Sequence, residues 1–249
     1  MDTAPYVMLG LERVPTGIEK LDRILKGGFI RRRTYLIAGE TGTGKTIFGL
    51  QYLIHGARVL EENGIYVLVD ESIDDLIRGA KSLGWDLREL VDEGKLSIMT
   101  LLSEFPEKFK NKYMEAIVSS IVKDIKEEAD RINAKRLVID PIAPLILSEK
   151  TLGWMREYVR RLMIEIEEKV GCTTIVTSEV PTGSNALSRY GVEEFLAAGV
   201  ILLQLRKRNG DYVRVMHIRK MRWTPIKPLE LEFDIVPGKG IVILDQYRY

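Results

Sequence analysis

The residue types that form disulfides and bind soft metals are almost missing from this sequence. One cysteine, Cys172, and two histidines, His55 and His217, occur among 249 residues. A disulfide within the chain and a zinc site built on several cysteines are therefore excluded, and neither histidine has a metal-ligating partner at a useful spacing. A single thiol is typical of a reducing compartment, so we expect the protein to be cytoplasmic.

Long apolar runs and an excess of one charge are missing too. The longest apolar run covers the nine residues 195–203, whereas a membrane helix needs about 20 residues. We expect a buried strand there and no membrane partner. Residues 1–12, an N-terminal lead-in, lack the apolar stretch of a secretory signal. Lys and Arg total 37 against 36 Asp and Glu, so nucleic acid could be bound only through a local basic patch.

The remaining composition is typical of one large globular unit. Hydrophobic residues make up 45% of the chain and charged residues 29%, which supplies enough apolar material for a substantial core. We find no internal repeat, and no linker rich in Gly, Ser or Pro divides the chain. We therefore expect a single domain over residues 1–249.

Apolar segments alternate with amphipathic segments over most of the chain. Short apolar segments predict strands at 34–38, 65–69, 96–100, 136–139 and 173–177. Longer amphipathic segments predict helices at 45–60, 73–83, 113–131 and 153–170. Strands that are apolar on both faces and separated by helices are typical of a parallel sheet covered on both sides.

The pattern changes in the last third of the chain. Segments 199–205 and 212–219 flank Asn209-Gly210, a strong hairpin signal, and segments 229–235 and 241–244 flank Pro237-Gly238. These pairs predict an antiparallel extension of the same sheet. The fold class is therefore α/β, with a mostly parallel twisted sheet, helices on both faces and a C-terminal antiparallel extension.

A phosphate-binding loop is the most specific motif in the sequence. Residues 39–46 match G-x-x-x-x-G-K-S/T in full, between a predicted strand and a predicted helix. They are Gly39, Glu40, Thr41, Gly42, Thr43, Gly44, Lys45 and Thr46. The glycines let backbone N–H groups converge on phosphate oxygens, Lys45 can reach the β- and γ-phosphates, and the Thr46 hydroxyl can bind Mg²⁺. The alternative is a glycine-rich turn that contains Lys-Thr by chance.

Acidic residues follow two of the predicted strands. Asp140 ends a short apolar strand and should face Mg²⁺ through water, because the carboxyl ends of parallel strands face the ligand crevice. Asp70 and Glu71 follow the strand at 65–69, which lies beside the phosphate-loop strand in the simplest topology. One of the two can activate the water that attacks the γ-phosphate. The alternative for this pair is a helix-start feature.

The chain as a whole resembles the KaiC-like ATPases of the RecA/RadA superfamily, from about residue 13 to residue 243. The segments that carry the resemblance, besides the phosphate loop, are Arg13-Val14-Pro15-Thr16-Gly17-Ile18, Leu21-Asp22, Gly27-Gly28, Gly84-Trp85-Asp86-Leu87, Gly94-Lys95-Leu96, Ser188-Arg189-Tyr190-Gly191-Val192-Glu193-Glu194-Phe195 and Lys220-Met221-Arg222. The resemblance implies a RecA-like core with ATP and Mg²⁺ as cofactors. The family usually has a Glu-Glu pair where this chain has Asp70-Glu71, and the position of the base aligns best with Asp70.

The resemblance also implies an assembly. The nucleotide would lie between neighbouring subunits of a hexamer-type homo-oligomeric ring, with Lys220 and Arg222 supplied by the adjacent subunit. These two residues lie two apart on a predicted strand of the extension, which we expect at the edge of the sheet, so both should point to the same face; the alternative is a solvated strand face. The resemblance further points to the segment Ile235-Val236-Pro237, with Ile235 and Pro237 against the adenine base; the alternative is that these residues end a core strand.

Three functions remain open from the sequence. The first is a Mg²⁺-dependent ATPase that works as a ring, with turnover that could be slow. The second is an ATP-gated adaptor with little turnover. The third is a RadA-like accessory protein that binds single-stranded DNA, because residues 204–227 hold eight cations against one acid. DNA binding is not favoured, since this segment offers few aromatic side chains for stacking.

Overall fold

A computed structural model describes residues 11–69, 71–100, 113–142, 151–181, 183 and 186–244. The helices are α1 Glu19–Ile24, α2 Lys45–Val59, α3 Ile73–Ser82, α4 Leu87–Asp92, α5 Met114–Arg131, α6 Leu152–Lys169 and α7 Glu193–Leu196. The strands are β1 Arg13–Val14, β2 Phe29–Ile30, β3 Thr34–Gly39, β4 Gly64–Leu68, β5 Leu96–Thr100, β6 Arg136–Asp140, β7 Thr173–Glu179, β8 Gly199–Arg208, β9 Asp211–Met221, β10 Leu229–Val236 and β11 Gly240–Ile243.

Nine of these strands form one sheet in the order β11-β10-β9-β8-β3-β7-β6-β4-β5. Six neighbouring strands pair in parallel, in the order β8, β3, β7, β6, β4 and β5. Strands β9, β10 and β11 continue the sheet beyond β8 in antiparallel pairing. Strands β1 and β2 form a separate antiparallel pair. The predicted mixed sheet with a C-terminal antiparallel extension is confirmed.

Apolar cores lie on both faces of the sheet, as predicted. One core joins α1 to α4 with side chains such as Phe48 and Tyr66, and the other joins α5 and α6 with side chains such as Ile121 and Leu162. Both faces of the parallel strands are thus covered, which explains why these strands are apolar throughout. None of the described helices combines the length and the apolar composition that crossing a membrane requires.

Three predictions about the strands were wrong. Strand β4 does not lie beside β3, because β6 and β7, which come later in the chain, lie between them. Strand β9 is not at the sheet edge, because β10 pairs with it and buries Leu231 and Phe233 in the core. The apolar run 195–203 is not one strand: Phe195 ends up in α7 with 69% of its surface exposed, and the strand begins at Gly199.

A buried arginine fixes helix α2 against the sheet. Arg136, at the start of β6, has no exposed surface; it donates from Nε to Glu62 at 2.7 Å and from Nη1 to the carbonyl oxygens of Pro15 and Tyr52 at 2.9 and 2.8 Å. A Cβ atom on Gly56 would lie 2.4 Å from Arg136 Cδ, so glycine is needed at this close approach. The helix that carries the phosphate loop is therefore set against the strand that ends in Asp140.

Candidate functional site

The phosphate loop joins the carboxyl end of β3 to the first turn of α2. Gly42 and Gly44 have φ angles of 78° and 106°, in the left-handed region that favours glycine. A Cβ atom on Gly39 would lie 2.4 Å from the carbonyl oxygen of Leu203 on β8, so only glycine fits there. This backbone path directs N–H groups of the loop and of the first turn of α2 toward one point, the geometry that binds phosphate.

Lys45 lies at the centre of this loop. Its ammonium group donates to the carbonyl oxygens of Gly39 and Glu40, both at 2.9 Å. Burial lowers the pKa of Lys45, while the negative charges of Glu179 and Asp140 oppose that shift. A cation held by neutral carbonyl groups is well placed to move onto the oxygens of an anion, where charge-assisted hydrogen bonds are stronger.

Asp140 receives hydroxyl donors from three other elements. Thr46 on α2 and Tyr66 on β4 donate to its Oδ2 at 2.8 and 2.5 Å, and Thr177 on β7 donates to its Oδ1. Burial, and next the Asp140 charge, raise the pKa of Tyr66 well above its ordinary value, so its hydroxyl remains a donor. The predicted pair of Thr46 and Asp140 is thus brought into direct contact.

The donor set at this position suits Mg²⁺. Thr46 and Asp140 offer hard oxygen ligands 2.8 Å apart, at the mouth of a loop built for phosphate. Mg²⁺ usually takes one or two protein oxygens and fills the remaining positions with water and substrate phosphate oxygens. The described residues contain no group of three His, Cys, Asp or Glu side chains that would hold a metal by themselves, and Mg²⁺ bound with a nucleotide needs none.

These groups line an open cleft of about 420 Å³. Its lining includes the phosphate-loop residues Thr41, Gly42, Gly44, Lys45 and Thr46, together with Ile47, Glu71, Asp140, Pro141, Glu179, Arg214 and Ile235. Thr41 donates to Glu179 Oε1 at 3.1 Å, which connects the loop to the end of β7. Residues from positions 41 to 235 of the chain therefore meet around the phosphate loop.

Of the two acids predicted to activate water, Glu71 lines this cleft. Asp70 lies outside the described residues. Burial raises the pKa of the Glu71 carboxyl group, and the charges of Asp140 and Asp75 raise it further. A carboxylate with a raised pKa is a better proton acceptor. The alternative explanation was that the two acids only precede the start of a helix. A helix does begin here, because Ser72 is the N-cap of α3 and accepts from the Asp75 N–H at 3.1 Å.

Comparison with known proteins gives one consistent family. The family profile described as ATPase: KaiC matches residues 14–248. The chain belongs to the KaiC family of ATPases. It is 34% identical to the circadian clock oscillator protein KaiC of Prochlorococcus marinus subsp. pastoris over 238 residues, and 32% identical to that of Thermosynechococcus vestitus over 239 residues. These matches cover 95% and 96% of this chain but 46% and 45% of the relatives, so the chain spans about half their length.

A solved structure has the same fold. The crystal structure of a KaiC-like protein from the hyperthermophilic archaeon Pyrococcus horikoshii OT3 superimposes with a TM-score of 0.81 at 38% identity. That match covers 95% of this chain and 100% of the other chain. The chain therefore has the KaiC-like RecA-type fold and is a P-loop domain of an ATP-binding family.

The two residues predicted to lie against the base differ in position. Ile235, on β10, lines the cleft of this KaiC-family domain, and its Cδ1 lies 3.3 Å from the place that a Cβ on Gly44 would take. Pro237 is exposed in the turn after β10 and is not among the lining residues. The structure thus brings Ile235 to the phosphate loop and leaves Pro237 outside.

Arg214 is a site residue that sequence reasoning did not single out. It lies on β9 between Leu205 of β8 and Phe233 of β10, and it lines the cleft beside Ile235. Its Nε is buried and has no hydrogen-bond partner among the described residues. In the sequence Arg214 was one of eight cations in a basic segment. Only the pairing of β9 inside the sheet shows that this cation faces the cleft.

Lys220 and Arg222 lie outside this cleft. Lys220 Nζ donates to the carbonyl oxygens of Glu194 and Phe195 at 2.8 and 3.2 Å, and Arg222 Nη2 donates to that of Phe195 at 2.8 Å. Both side chains thus meet at one carbonyl group, although β9 ends at Met221 and Arg222 lies in the turn after it, not on the strand as predicted. Burial lowers the pKa of Lys220 and the charge of Arg222 lowers it further, while Glu194 opposes. No ion pair to a carboxylate engages either cation within the described part of the chain.

A buried carboxylate holds the segment that supplies this carbonyl. Glu193 has no exposed surface and accepts from the hydroxyls of Ser178 and Ser188 at 3.0 and 2.8 Å and from the Val192 N–H at 3.1 Å. Ser178 lies next to the end of β7, so the motif that runs from Ser188 to Phe195 is tied to the carboxyl edge of the sheet.

The basic segment of the sequence is not a continuous free surface. Arg206 pairs with Glu230, and Arg208 pairs with Glu232, across the extension. Arg214 faces the cleft, and Lys220 and Arg222 contact carbonyl groups. Acids on β10 therefore neutralise cations that would otherwise contact phosphates, which disfavours the nucleic-acid interpretation further.

Proposed function

We propose that this domain binds ATP with Mg²⁺ in the phosphate-loop cleft and hydrolyses the γ-phosphate as a ring-shaped homo-oligomer. The observation that carries the proposal is the direct contact of Thr46 with Asp140, at the N-terminus of α2 and beside Lys45. A phosphate loop, a metal-binding hydroxyl and a strand-end carboxylate in one cleft are the parts that phosphoryl transfer requires.

Each group in the cleft has a distinct task. Backbone N–H groups of residues 40–46 and the Lys45 ammonium bind the phosphates, and Thr46 with Asp140 holds the metal position. Bound Mg²⁺ would neutralise charge on the β- and γ-phosphate oxygens during transfer. On the nucleoside side, Ile235 offers an apolar surface to the base, and the buried Nε of Arg214 offers a donor that lacks an acceptor within the described chain.

Glu71 is the acid that the structure supports as the proton acceptor. It lines the cleft with a raised pKa. Asp70 remains the second candidate, because the resemblance aligns the base with that position. Either acid would orient the attacking water and take its proton.

Lys220 and Arg222 are proposed to act on the nucleotide of a second copy of this chain. Both side chains are held outside the cleft that contains their own Lys45, and in the part of the chain that the structure describes their hydrogen bonds go to carbonyl groups. A phosphate group would offer them a charged acceptor. An arginine supplied by a neighbouring subunit stabilises charge that develops on the transferred phosphoryl group.

The first prediction separates phosphate binding from metal binding. Lys45→Ala should weaken ATP binding by about 10- to 100-fold, because a cation among phosphate oxygens is lost. Asp140→Asn keeps an acceptor oxygen for Thr46 and Tyr66 but loses the charge, so it should raise the Mg²⁺ concentration needed for half-maximal turnover more than it weakens ATP binding. Titration calorimetry and Mg²⁺ titrations check this, with exposed Lys81→Ala as the control. Overlaid Mg²⁺ curves for Asp140→Asn and wild type would remove Asp140 from the metal site.

The second prediction concerns Arg214. Arg214→Gln should weaken ATP and ADP binding alike, by about 10-fold or more, because a charge-assisted contact to the nucleotide is lost. Arg219→Gln on the same strand, exposed to solvent, is the matched control and should leave affinity unchanged. Equal affinities for the Arg214→Gln variant and wild type would show that Arg214 has no contact with the nucleotide.

The third prediction concerns the two acids. Glu71→Gln should spare ATP binding and reduce phosphate release by about 10²- to 10⁴-fold, the usual contribution of a proton-accepting carboxylate. In wild type, turnover should fall as the pH drops through the raised pKa of Glu71, because only the ionised form accepts a proton. That acidic limb should vanish in Glu71→Gln.

Asp70→Asn serves as the comparison for that experiment. A larger loss in Asp70→Asn than in Glu71→Gln would assign the base to Asp70. If wild type binds ATP yet releases no more phosphate than Lys45→Ala, the ATP-gated adaptor is the correct function instead of the ATPase.

The fourth prediction tests the shared site. Arg222→Ala should bind ATP almost normally but lose hydrolysis, since a subunit-supplied arginine contributes about 10³- to 10⁵-fold. Mixing Arg222→Ala with Lys45→Ala subunits should restore activity that neither variant has alone, because some interfaces then combine an intact phosphate loop with an intact arginine. Mixed oligomers that form but stay inactive would contradict the shared site.

A further inference from the structure

The turn after β9, which includes Arg222, contains a backbone conformation that its own sequence does not favour. Trp223 has a φ of 58°, in the left-handed region, although its side chain is large and 75% exposed. Residues with a Cβ rarely adopt this conformation unless their surroundings hold it. The Arg222 N–H bonds to Ala198 O at 2.8 Å, which fixes the start of the turn beside the first residue of β8. Within the turn, Thr224 donates from its N–H to Met221 O and from its Oγ1 to Arg222 O, both at 3.4 Å. A further contact comes from outside the turn.

The guanidinium group of Arg13 supplies that contact. Its Nη1 donates to Thr224 Oγ1 at 3.0 Å, and its Nη2 donates to the carbonyl oxygen of Trp223 at 3.3 Å. The two residues that follow Arg222 are therefore held by one side chain from the opposite end of the chain, more than two hundred residues away. Thr224 is itself buried.

Arg13 is in turn fixed on the side away from the turn. Its backbone lies in β1, opposite Ile30 of β2. The carbonyl oxygens of Leu25 and Gly28, in the segment between α1 and β2, also lie within hydrogen-bond distance of Nη1, at 3.0 and 3.1 Å, so its two hydrogens are shared among three acceptors. The planar guanidinium group thus bridges two backbone segments, which the single ammonium nitrogen of a lysine cannot do with the same geometry.

We propose that Arg13 is a positioning residue for the cation pair Lys220 and Arg222. It holds the turn 222–224 so that Arg222 projects from the end of β9 at a fixed place. This inference rests on the proposed role of the pair at the site of a second copy. The alternative is that Arg13 only attaches the lead-in to the body of the protein and has no effect on the pair.

The first test measures the turn itself and needs no activity. In Arg13→Ala, hydrogen exchange of the amides of residues 222–224 and 226 should accelerate by about 10-fold or more, because two charge-assisted bonds to the turn are lost. Exchange in β3 and β6 should stay as in wild type. Arg23→Ala, an exposed arginine of α1 that pairs with Glu19, is the matched control and should change neither region.

The second test measures phosphate release. Arg13→Ala should lower release by about 10²-fold, the usual loss when a reacting group is displaced by about 1 Å, with ATP affinity unchanged. Arg13→Lys, which retains one donor group, should fall between wild type and Arg13→Ala. The double variant Arg13→Ala, Arg222→Ala should be no slower than Arg222→Ala alone, because Arg13 acts through the turn.

Subunit mixing separates this inference from the proposed function. Arg13→Ala subunits have an intact phosphate loop, so mixing with Lys45→Ala should restore release, whereas mixing with Arg222→Ala should not. If Arg222→Ala fails to complement Lys45→Ala, the shared site is wrong, and the exchange data and the double variant still decide the role of Arg13. Unchanged exchange at residues 222–224 and 226, exchange that rises throughout the sheet, or additive losses in the double variant would each overturn the positioning role.

Discussion

Three hydroxyl groups converge on the carboxylate of Asp140, and the geometry of the site depends on them. Thr46, Tyr66 and Thr177 bring α2, β4 and β7 onto the end of β6. Placing a carboxylate at the floor of a cleft is unfavourable without hydrogen bonds, and these donors compensate that cost. They also fix Thr46, the first residue after Lys45. The orientation of the phosphate loop relative to Asp140 is thus fixed by contacts within the protein, which is the preorganisation that the proposed hydrolysis would require.

The other end of β6 contributes to the same geometry. Arg136, buried at the start of the strand, bonds to the Tyr52 carbonyl oxygen of α2, whereas Asp140 at the end of the strand bonds to Thr46 of that helix. One short strand therefore holds one helix at two points.

The order of the sheet explains how the acid that follows β4 reaches the cleft. Strand β4 lies next to β6, not next to β3, so Glu71 approaches the phosphate loop from the Asp140 side. This also explains why the Asp140 charge raises the pKa of Glu71.

Local patterns in the sequence predicted the elements but not all of their neighbours. The phosphate loop, the strand before Asp140 and the hairpin at Asn209-Gly210 each carry a short-range signal, and each was confirmed in the fold. Whether β9 is an edge strand depends on where β10 pairs, and nothing within β9 encodes that pairing. The same limit concealed Arg214, whose neighbours on β8 and β10 decide that it faces the cleft. The site roles themselves rest on the contacts described above and on the resemblance.

Counting cations in the sequence was a poor guide to function, and the partner of each cation is a better one. Arg206 and Arg208 bond to carboxylates across the extension, so their charge is neutralised within the chain. Exposed pairs of this kind contribute about 0–1 kcal/mol to stability and leave little attraction for an outside anion. Among the described residues, the side chains of Lys220 and Arg222 bond to the carbonyl oxygens of Glu194 and Phe195 in α7 and to no carboxylate. A neutral acceptor keeps a cation in place without cancelling its charge. A phosphate could therefore compete with these carbonyl groups for the two cations far more easily than with Glu230 or Glu232 for the arginines, because its charge-assisted bonds are stronger. The extension thus contains two kinds of cation. Arg206 and Arg208 are paired with carboxylates, whereas Lys220 and Arg222, at the end of β9, are held by carbonyl groups.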